Sequence, residues 1–341
     1  MQKIYGLDEK EARRLAFMYR QSDIETRYTV LADYTQSDEK HWNFIPIDQG
    51  DPLPNLDERM KIYNREALPL SILSINDCLE NITTPKEITH LITVSCTGMS
   101  APGLDLQVME MMGLPKNIFR TSVNFMGCYA AIHALRMADS LCAQHQGAKV
   151  MVVCTELCTL HFQKNNTIDN ITSSLLFGDG AAAVLITHDD FNIRGLHIKD
   201  FYSEISFKGK KDMSWELSSS GFLMTLSGYV ADLIGEDFNS LVDNALQHAE
   251  LERDAISHWC IHPGGKKILT AIQNSISIPE DALQESYTVL RDYGNMSSPT
   301  ILFVLKQIMD KLGNKKDQKT NIFAAAFGPG LTMETFILSD D

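Results

Sequence analysis

The sequence predicts an α/β protein built from one unit written twice. Three observations lead there. Short apolar segments of strand character alternate along the chain with longer segments of helical period. The order helix, strand, helix, strand, helix, strand, strand is read once before about residue 190 and once after it. The register also repeats. Cys128 opens a helix 33 residues after Ser95 ends a strand, and Asn295 precedes a helix 33 residues after His262 ends one. Short strands alternating with helices imply mainly parallel sheets covered by helices. A duplication implies two such units around a pseudo-twofold axis: residues 1–200 with Cys128, and residues 201–341 with His262 and Asn295.

The elements follow in order. Residues 9–20 read as a helix. Residues 34–64, with Pro46, Pro52 and Pro54, read as an irregular connection. A helix is expected at 66–80, a buried strand at THLITVS (89–95), a helix at 103–113 and a short strand near 118–123. From Cys128 the apolar residues Ala131, Ala134, Leu135, Ala138 and Leu141 mark one face of a helix running to about 145. AKVMVVC (148–154) is a valine-dense strand, GDG (178–180) a turn and AAAVLIT (181–187) a strand. In the second part 228–251 is a long helix, HWCIH (258–262) a strand and 266–276 a helix. SYTVL (286–290) reads as a strand, and 297–312 as a helix with Pro299 in its first turn, where proline is tolerated. NIFAAAF (321–327) and TMETFIL (332–338) close the chain as strands.

With 341 residues, 44% hydrophobic and 22% charged, the composition is that of a soluble globular protein. The formal net charge of −14 disfavours a general binder of nucleic acid or membrane surfaces. An anionic ligand must therefore be met by local basic residues such as Lys208, Lys210 and Lys211, or Lys266 and Lys267. Seven cysteines without a CxxC pair give neither zinc spacing nor a disulfide framework. The charged start MQKIYGLDEKEARR has no apolar signal region, and no run of 18 apolar residues occurs. These features predict a reduced, cytoplasmic protein.

Functional residues of α/β units collect at strand carboxyl ends and helix N-termini. Cys128 stands there after Gly127. Free N–H groups and the helix dipole in such a place favour a thiolate, although a small buried hydrophobe is the other reading. His262, followed by PGG, suits either a structural or a catalytic histidine, and Asn295 in YGNMSS could simply cap a helix. Together they supply a nucleophile, a base or donor, and a neutral donor.

Long stretches then carry a resemblance. ITHLITVSCTGMSAPGLDLQVMEMMGL (88–114), GCYAAIHALRMADSL (127–141), GAKVMVVCTEL (147–157) and LFGDGAAAVLI (176–186) are similar to the chalcone synthase family, the type III polyketide synthases. So are HPGGKKIL (262–269), YGNMSSPTILFVL (293–305) and AFGPGLTMETFIL (326–338). The resemblance covers roughly residues 8–340 and is weaker around 190–255. It implies a thiolase-like fold, a duplicated α/β/α/β/α layered architecture, in a homodimer that needs no cofactor and takes coenzyme A thioesters as substrates.

It further implies that Cys128 accepts an acyl starter and that His262 holds its thiolate as an ion pair. Asn295 and His262 would then hold the enolate left when malonyl-CoA loses carbon dioxide. Phe177 matches an aromatic gate between a coenzyme A tunnel and the cavity, and Pro329 of GPG matches a cavity-shaping loop. Thr97 and Ser297 fall among the substrate-binding positions. His161, Trp215 and Met224 fall where chalcone-forming members carry threonine, glycine and phenylalanine. The first two changes add bulk and predict one or two condensations, giving a diketide or triketide pyrone. Trp215 could instead turn into the core and never meet the substrate.

Two departures stand out. The family has a strand before its first helix, and none is visible here. The tunnel mouth is thin in basic residues, with Arg20 and Arg27 beside Asp23 and Glu25 and with Lys266 and Lys267 as substitutes. Three rivals remain from the sequence: a ketoacyl carrier-protein synthase III-type enzyme, a cysteine–histidine hydrolase and a non-catalytic scaffold of the same fold.

Overall fold

The computed structural model describes residues 4–47, 50–191, 195–313 and 319–340; the first residues of the charged start lie outside it. Helix α1 (Glu9–Gln21) opens with a reciprocal cap between Asp8 and Glu11. Helix α2 (Leu56–Leu79) is capped in the same way by Asn55 and Glu58. The connection expected over 34–64 thus ends at residue 55, and the helix begins ten residues earlier than expected. Pro69 lies inside α2 and costs it a backbone hydrogen bond. The helix persists because Arg59, Tyr63, Ala67, Ser71, Ile75 and Leu79 bury one continuous face.

The first sheet is formed by β1 (His90–Ser95), β2 (Phe119–Asn124), β3 (Lys149–Leu157) and β4 (Asp179–Thr187), in the order β2-β1-β3-β4. Helices α3 (Leu104–Met112), α4 (Ala130–Gln144) and α5 (Ile168–Leu176) connect them. The second sheet has the order β5-β10-β9-β8, from β5 (His197–Ile205), β8 (His258–Ile261), β9 (Asn321–Gly328) and β10 (Thr332–Ser339). A hairpin of β6 (Met213–Ser218) and β7 (Gly221–Leu226) stands apart. Helices α6 (Val230–His248), α7 (Lys266–Ile276), α8 (Gln284–Tyr293) and α9 (Thr300–Leu312) complete the chain.

The repeat is visible in the pairing. β1 and β3 run parallel, as do β8 and β9; β4 runs antiparallel to β3, as β10 does to β9. The sheets are therefore mixed rather than mainly parallel. The match is also incomplete. Residues 286–290, read as a strand, lie within α8, where Ser286, Val289 and Leu290 turn one helical face to the core. Their short apolar run fits either period. β5 on the outer edge of β10 has no counterpart beside β4 among the described residues, and no described strand precedes α1. Helix α5, β5 and the β6–β7 hairpin were not read from the sequence.

Three apolar clusters define the layers. One joins Ile92 and Val94 of β1, Ala134 and Leu135 of α4, Ile301 and Val304 of α9, and Ala324 and Phe336 of the second sheet. Helices α4 and α9 thus lie between the sheets. A second cluster packs α6 and α7 on the outer face of β8–β10, and a third packs α2 and α3 on the outer face of β1 and β3. The result is the five-layer α/β/α/β/α arrangement. None of the described helices is long and apolar enough to cross a membrane.

The core is dense, so truncation is felt. Phe323 on β9 is fully buried against Trp259, with ring centroids 5.3 Å apart. Phe323→Ala should lose about 3–5 kcal/mol of unfolding free energy in urea melts. Phe17→Ala, at a side chain 56% exposed, should stay within about 0.5 kcal/mol. Equal effects would contradict the layer assignment.

Candidate active site

The two central helices start beside each other at one cavity of about 290 Å³. Helix α4 begins at Ala130, so Cys128 lies in the turn before it rather than in its first turn. Two residues of that turn take positive φ, Phe125 at 61° and Gly127 at 94°. A side chain at Gly127 would place its Cβ 2.4 Å from Cδ of Pro329, so only glycine fits. The turn before α9 has the same character: Gly294 and Ser297 take φ of 68° and 59°. Pro299 occupies the N-cap position of α9 rather than its first turn.

Cys128, His262 and Asn295 all line the cavity. The Cys128 thiol donates to Oδ1 of Asn295 at 3.9 Å. That oxygen also accepts the Ser297 N–H at 2.7 Å, which leaves the Asn295 NH₂ as the group available to a ligand. The Asn295 backbone is clasped from both sides: its N–H donates to Leu176 O at 3.0 Å and its carbonyl accepts the Gly178 N–H at 2.9 Å. Phe177, between those two residues, lines the cavity. Both ring nitrogens of His262 are buried and make no hydrogen bond within the protein.

The electrostatics depart from the sequence expectation. Burial pushes the Cys128 thiol up to about 12, and it holds the His262 imidazole down to about 3. The thiol lies outside the helix, half-buried on the cavity wall, and its partial loss of water outweighs the helix dipole. Hydrogen bonds from Ser297 and Asn295 pull the Cys128 thiol back only in part, and burial alone sets the His262 shift.

Behind the turn sits a carboxylate that the sequence reading passed over. Glu156, on β3, is fully buried. It accepts from Cys96 N–H at 2.8 Å, Thr97 Oγ1 at 2.8 Å and Ser298 Oγ at 2.6 Å. Burial raises its pKa to about 7 against the pull of those donors. A lone acid in the run VMVVCTEL was the available signal. Thr97, 1% exposed and bonded to this network, lines the cavity together with Ser297 and Pro329.

One wall is aromatic. Trp215 does not turn into the core: it lines the cavity, and its Nε1–H donates to Cys96 O at 2.8 Å. His161 lies flat on Phe222, with centroids 4.1 Å apart at 7°. Its Nδ1 accepts the Phe222 N–H at 3.0 Å, so Nε2 carries the proton and donates to Thr97 O at 2.7 Å. Met224 lies opposite Trp215 in the hairpin and also lines the cavity. Phe222 was missed because its place depends on the hairpin register.

The basic residues are less convergent. Arg27 stands at the cavity but donates from Nη1 to the carbonyls of Ser174 and Phe177. Lys266 pairs with Asp23 at 2.6 Å. Arg20 and Lys267 are exposed, and with Lys266 they fall outside the cavity lining. Lys208 pairs with Asp237 at 3.4 Å. Among the described residues no group of three acids, histidines or cysteines could hold a metal ion.

Comparison with known proteins fits this geometry. Residues 7–190 match the family model for the N-terminal domain of chalcone and stilbene synthases, and residues 202–340 match that for the C-terminal domain. A probable polyketide synthase 1 of Dictyostelium discoideum is 32% identical over 95% of this chain, which spans only 10% of that relative's length. An alpha-pyrone synthesis polyketide synthase-like protein of Mycobacterium tuberculosis is 29% identical over 96% of this chain and 82% of its own. Among solved structures, the PKS-I enzyme of the brown alga Ectocarpus siliculosus superimposes with a TM-score of 0.88 at 28% identity, over 97% of this chain and 90% of that one.

His161 gives the site a pH signature. Its imidazole falls from an ordinary 6.5 to about 3. Through that window the unfolded chain binds a proton that the folded chain refuses, so stability falls as pH falls. The slope is about 1.4 kcal/mol per pH unit for one group. Urea melts between pH 7 and pH 5 should show the stability difference between the parent and His161→Gln shrinking by about that slope. Parallel curves would show that His161 is protonated in the folded protein.

Proposed function

This chain belongs to the chalcone and stilbene synthase family of type III polyketide synthases, and from that premise we propose an acyltransferase that makes few condensations. The observation that carries the reading is the meeting of Cys128, Asn295 and His262 on one cavity, with the thiol 3.9 Å from the amide oxygen. The starter acyl group passes from coenzyme A to Cys128 Sγ, and free coenzyme A leaves. Malonyl-CoA then enters, its carboxylate departs as carbon dioxide, and the electron pair stays as a thioester enolate. The Asn295 NH₂ and a neutral His262 donate to the enolate oxygen; such donors typically contribute ~10²–10³ in rate. The enolate carbon attacks the Cys128 thioester carbonyl, the C–S bond breaks and the Cys128 thiolate leaves; the chain, two carbons longer, stays on the incoming coenzyme A and returns to Cys128 for a second round.

Acylation needs a thiolate, which the dry site disfavours. Cys128 and His262 therefore act as one unit: the proton moves from Sγ to the imidazole, and each charge offsets the other. Cys128 labelling by iodoacetamide, followed by peptide mapping, tests this. His262→Ala should slow labelling at pH 7 by at least about tenfold, while Asn295→Ala should leave it nearly intact. An unchanged rate in His262→Ala would remove histidine from nucleophile activation.

The reaction needs no resident cofactor, because decarboxylation itself supplies the electron pair. Phosphate contacts at the mouth fall to Arg20 and Lys267, both exposed, with Arg27 and Lys266 partly engaged by carbonyls and by Asp23. The free edge of β2, with Phe119 59% exposed, suits a homodimer, and the chain works in the cytoplasm.

Product size follows from the aromatic wall. His161, Trp215 and Met224 occupy cavity space, and hydrogen bonds to consecutive carbonyls hold the first two in place. A close-packed wall does not yield to a longer chain. One or two condensations fit, giving a diketide or a triketide pyrone. Mass analysis of products from malonyl-CoA and a panel of acyl-CoA starters checks it. Trp215→Gly, alone and with His161→Thr, should lengthen products by at least one two-carbon unit. Tetraketides from the parent, or unchanged products from both variants, would remove the steric argument.

A further inference from the structure

We propose that Cys96, the residue after β1, is a positioning residue for the nucleophile, an inference that rests on the reading of Cys128 above. All four polar functions of Cys96 are engaged, and each with a part of the site. Its N–H donates to Glu156 Oε2 at 2.8 Å, and its carbonyl accepts the Trp215 Nε1–H at 2.8 Å. Its sulfur accepts the Gly127 N–H at 2.9 Å, and its S–H points back to Gly127 O at 3.7 Å. One side chain thus holds both polar atoms of the residue that leads into Cys128.

The grip matters because of the conformation it holds. Gly127 takes φ of 94°, between the Cys96 sulfur on one side and the Pro329 ring on the other. Without the sulfur, a buried N–H loses its partner and the turn loses one wall. The Cys128 thiol itself is held by side-chain hydrogen bonds, to Asn295 Oδ1 at 3.9 Å and from Ser297, neither of which fixes its backbone. The carboxylate completes a closed path. Glu156 holds Cys96 on one side and Ser298 on the other, three residues beyond Asn295. Cys96 therefore fixes Cys128 relative to the amide that faces it.

Cys96 is 3% exposed, and burial keeps its thiol well above the ordinary range, so it remains a neutral hydrogen-bonding group rather than a rival nucleophile. Serine preserves both donor and acceptor at slightly shorter reach. Valine preserves bulk and abolishes both, and alanine removes bulk and hydrogen bonds together.

The test uses the full chain with malonyl-CoA and a panel of acetyl-, hexanoyl- and benzoyl-CoA, read as kcat and KM for condensation. A misplaced reacting group typically costs about 10²-fold. Cys96→Val and Cys96→Ala should lower kcat about 10–100-fold with KM for malonyl-CoA within about twofold, and Cys96→Ser should recover to within about threefold of the parent. If Cys96→Ala does not fold, the valine and serine pair carries the comparison at matched far-UV circular dichroism. Parental kcat in Cys96→Val, or no recovery in Cys96→Ser, overturns the proposal. Cys128→Ala is run alongside. If it still forms product, the assignment of the nucleophile fails, whereas an inactive Cys128→Ala with a fully active Cys96→Val removes only the role of Cys96.

Discussion

The site depends on one buried carboxylate. Glu156 ends a strand of the first sheet, yet its oxygens bond the loop after β1 and the residue before the N-cap of α9. A fully desolvated carboxylate is unfavourable unless its lone pairs are satisfied. Here the donors come from two segments far apart in sequence, residues 95–97 and Ser298, and the acid itself stands on a third. Satisfying the acid therefore requires all three to be in register. That requirement fixes the distance between the turn carrying Cys128 and the turn carrying Asn295. A pKa raised to about 7 shows that the donors do not fully replace water.

The layered architecture makes this possible. Two helices with apolar residues around most of their circumference belong between sheets, not on the surface. Helix α4 buries Ala131, Ala134, Leu135 and Ala138, and α9 buries Ile301, Val304 and Ile308. Placed side by side in the middle layer, their starts open at one cavity. Each start carries left-handed residues in the preceding turn, and a polar group stands in each turn. Backbone strain and polar burial collect where the chemistry is, and the apolar clusters around them bear the cost.

The cavity wall and the nucleophile share parts. Trp215 limits the space and also bonds the carbonyl of Cys96, whose sulfur holds Gly127. His161 bonds the carbonyl of Thr97, whose hydroxyl serves Glu156. Residues that set the volume thus touch residues that set the geometry. Enlarging the cavity at Trp215 also removes a hydrogen bond to Cys96, a residue of the loop that Glu156 holds. Size and rate are coupled through the backbone of residues 96 and 97.

The sequence by itself determined the alternation of helix and strand, the internal repeat and the family, and it singled out Cys128, His262 and Asn295 as candidates. These are legible because they rest on local period and on long contiguous motifs. It did not determine the strand-like run 286–290, where a short apolar segment fits a helix as well as a strand, nor the helix that continues through Pro69. It did not show how Glu156 and Cys96 are bonded, because the partners of a buried acid and a buried thiol lie far apart in the chain. Nor did it show the charge state of Cys128. A helix start argues for a thiolate, but the fold places the sulfur before the helix and half-buried in the cavity wall, and desolvation prevails. Tertiary structure decided what depends on desolvation and on contacts between residues far apart in the chain, since neither quantity is a property of a short stretch of sequence.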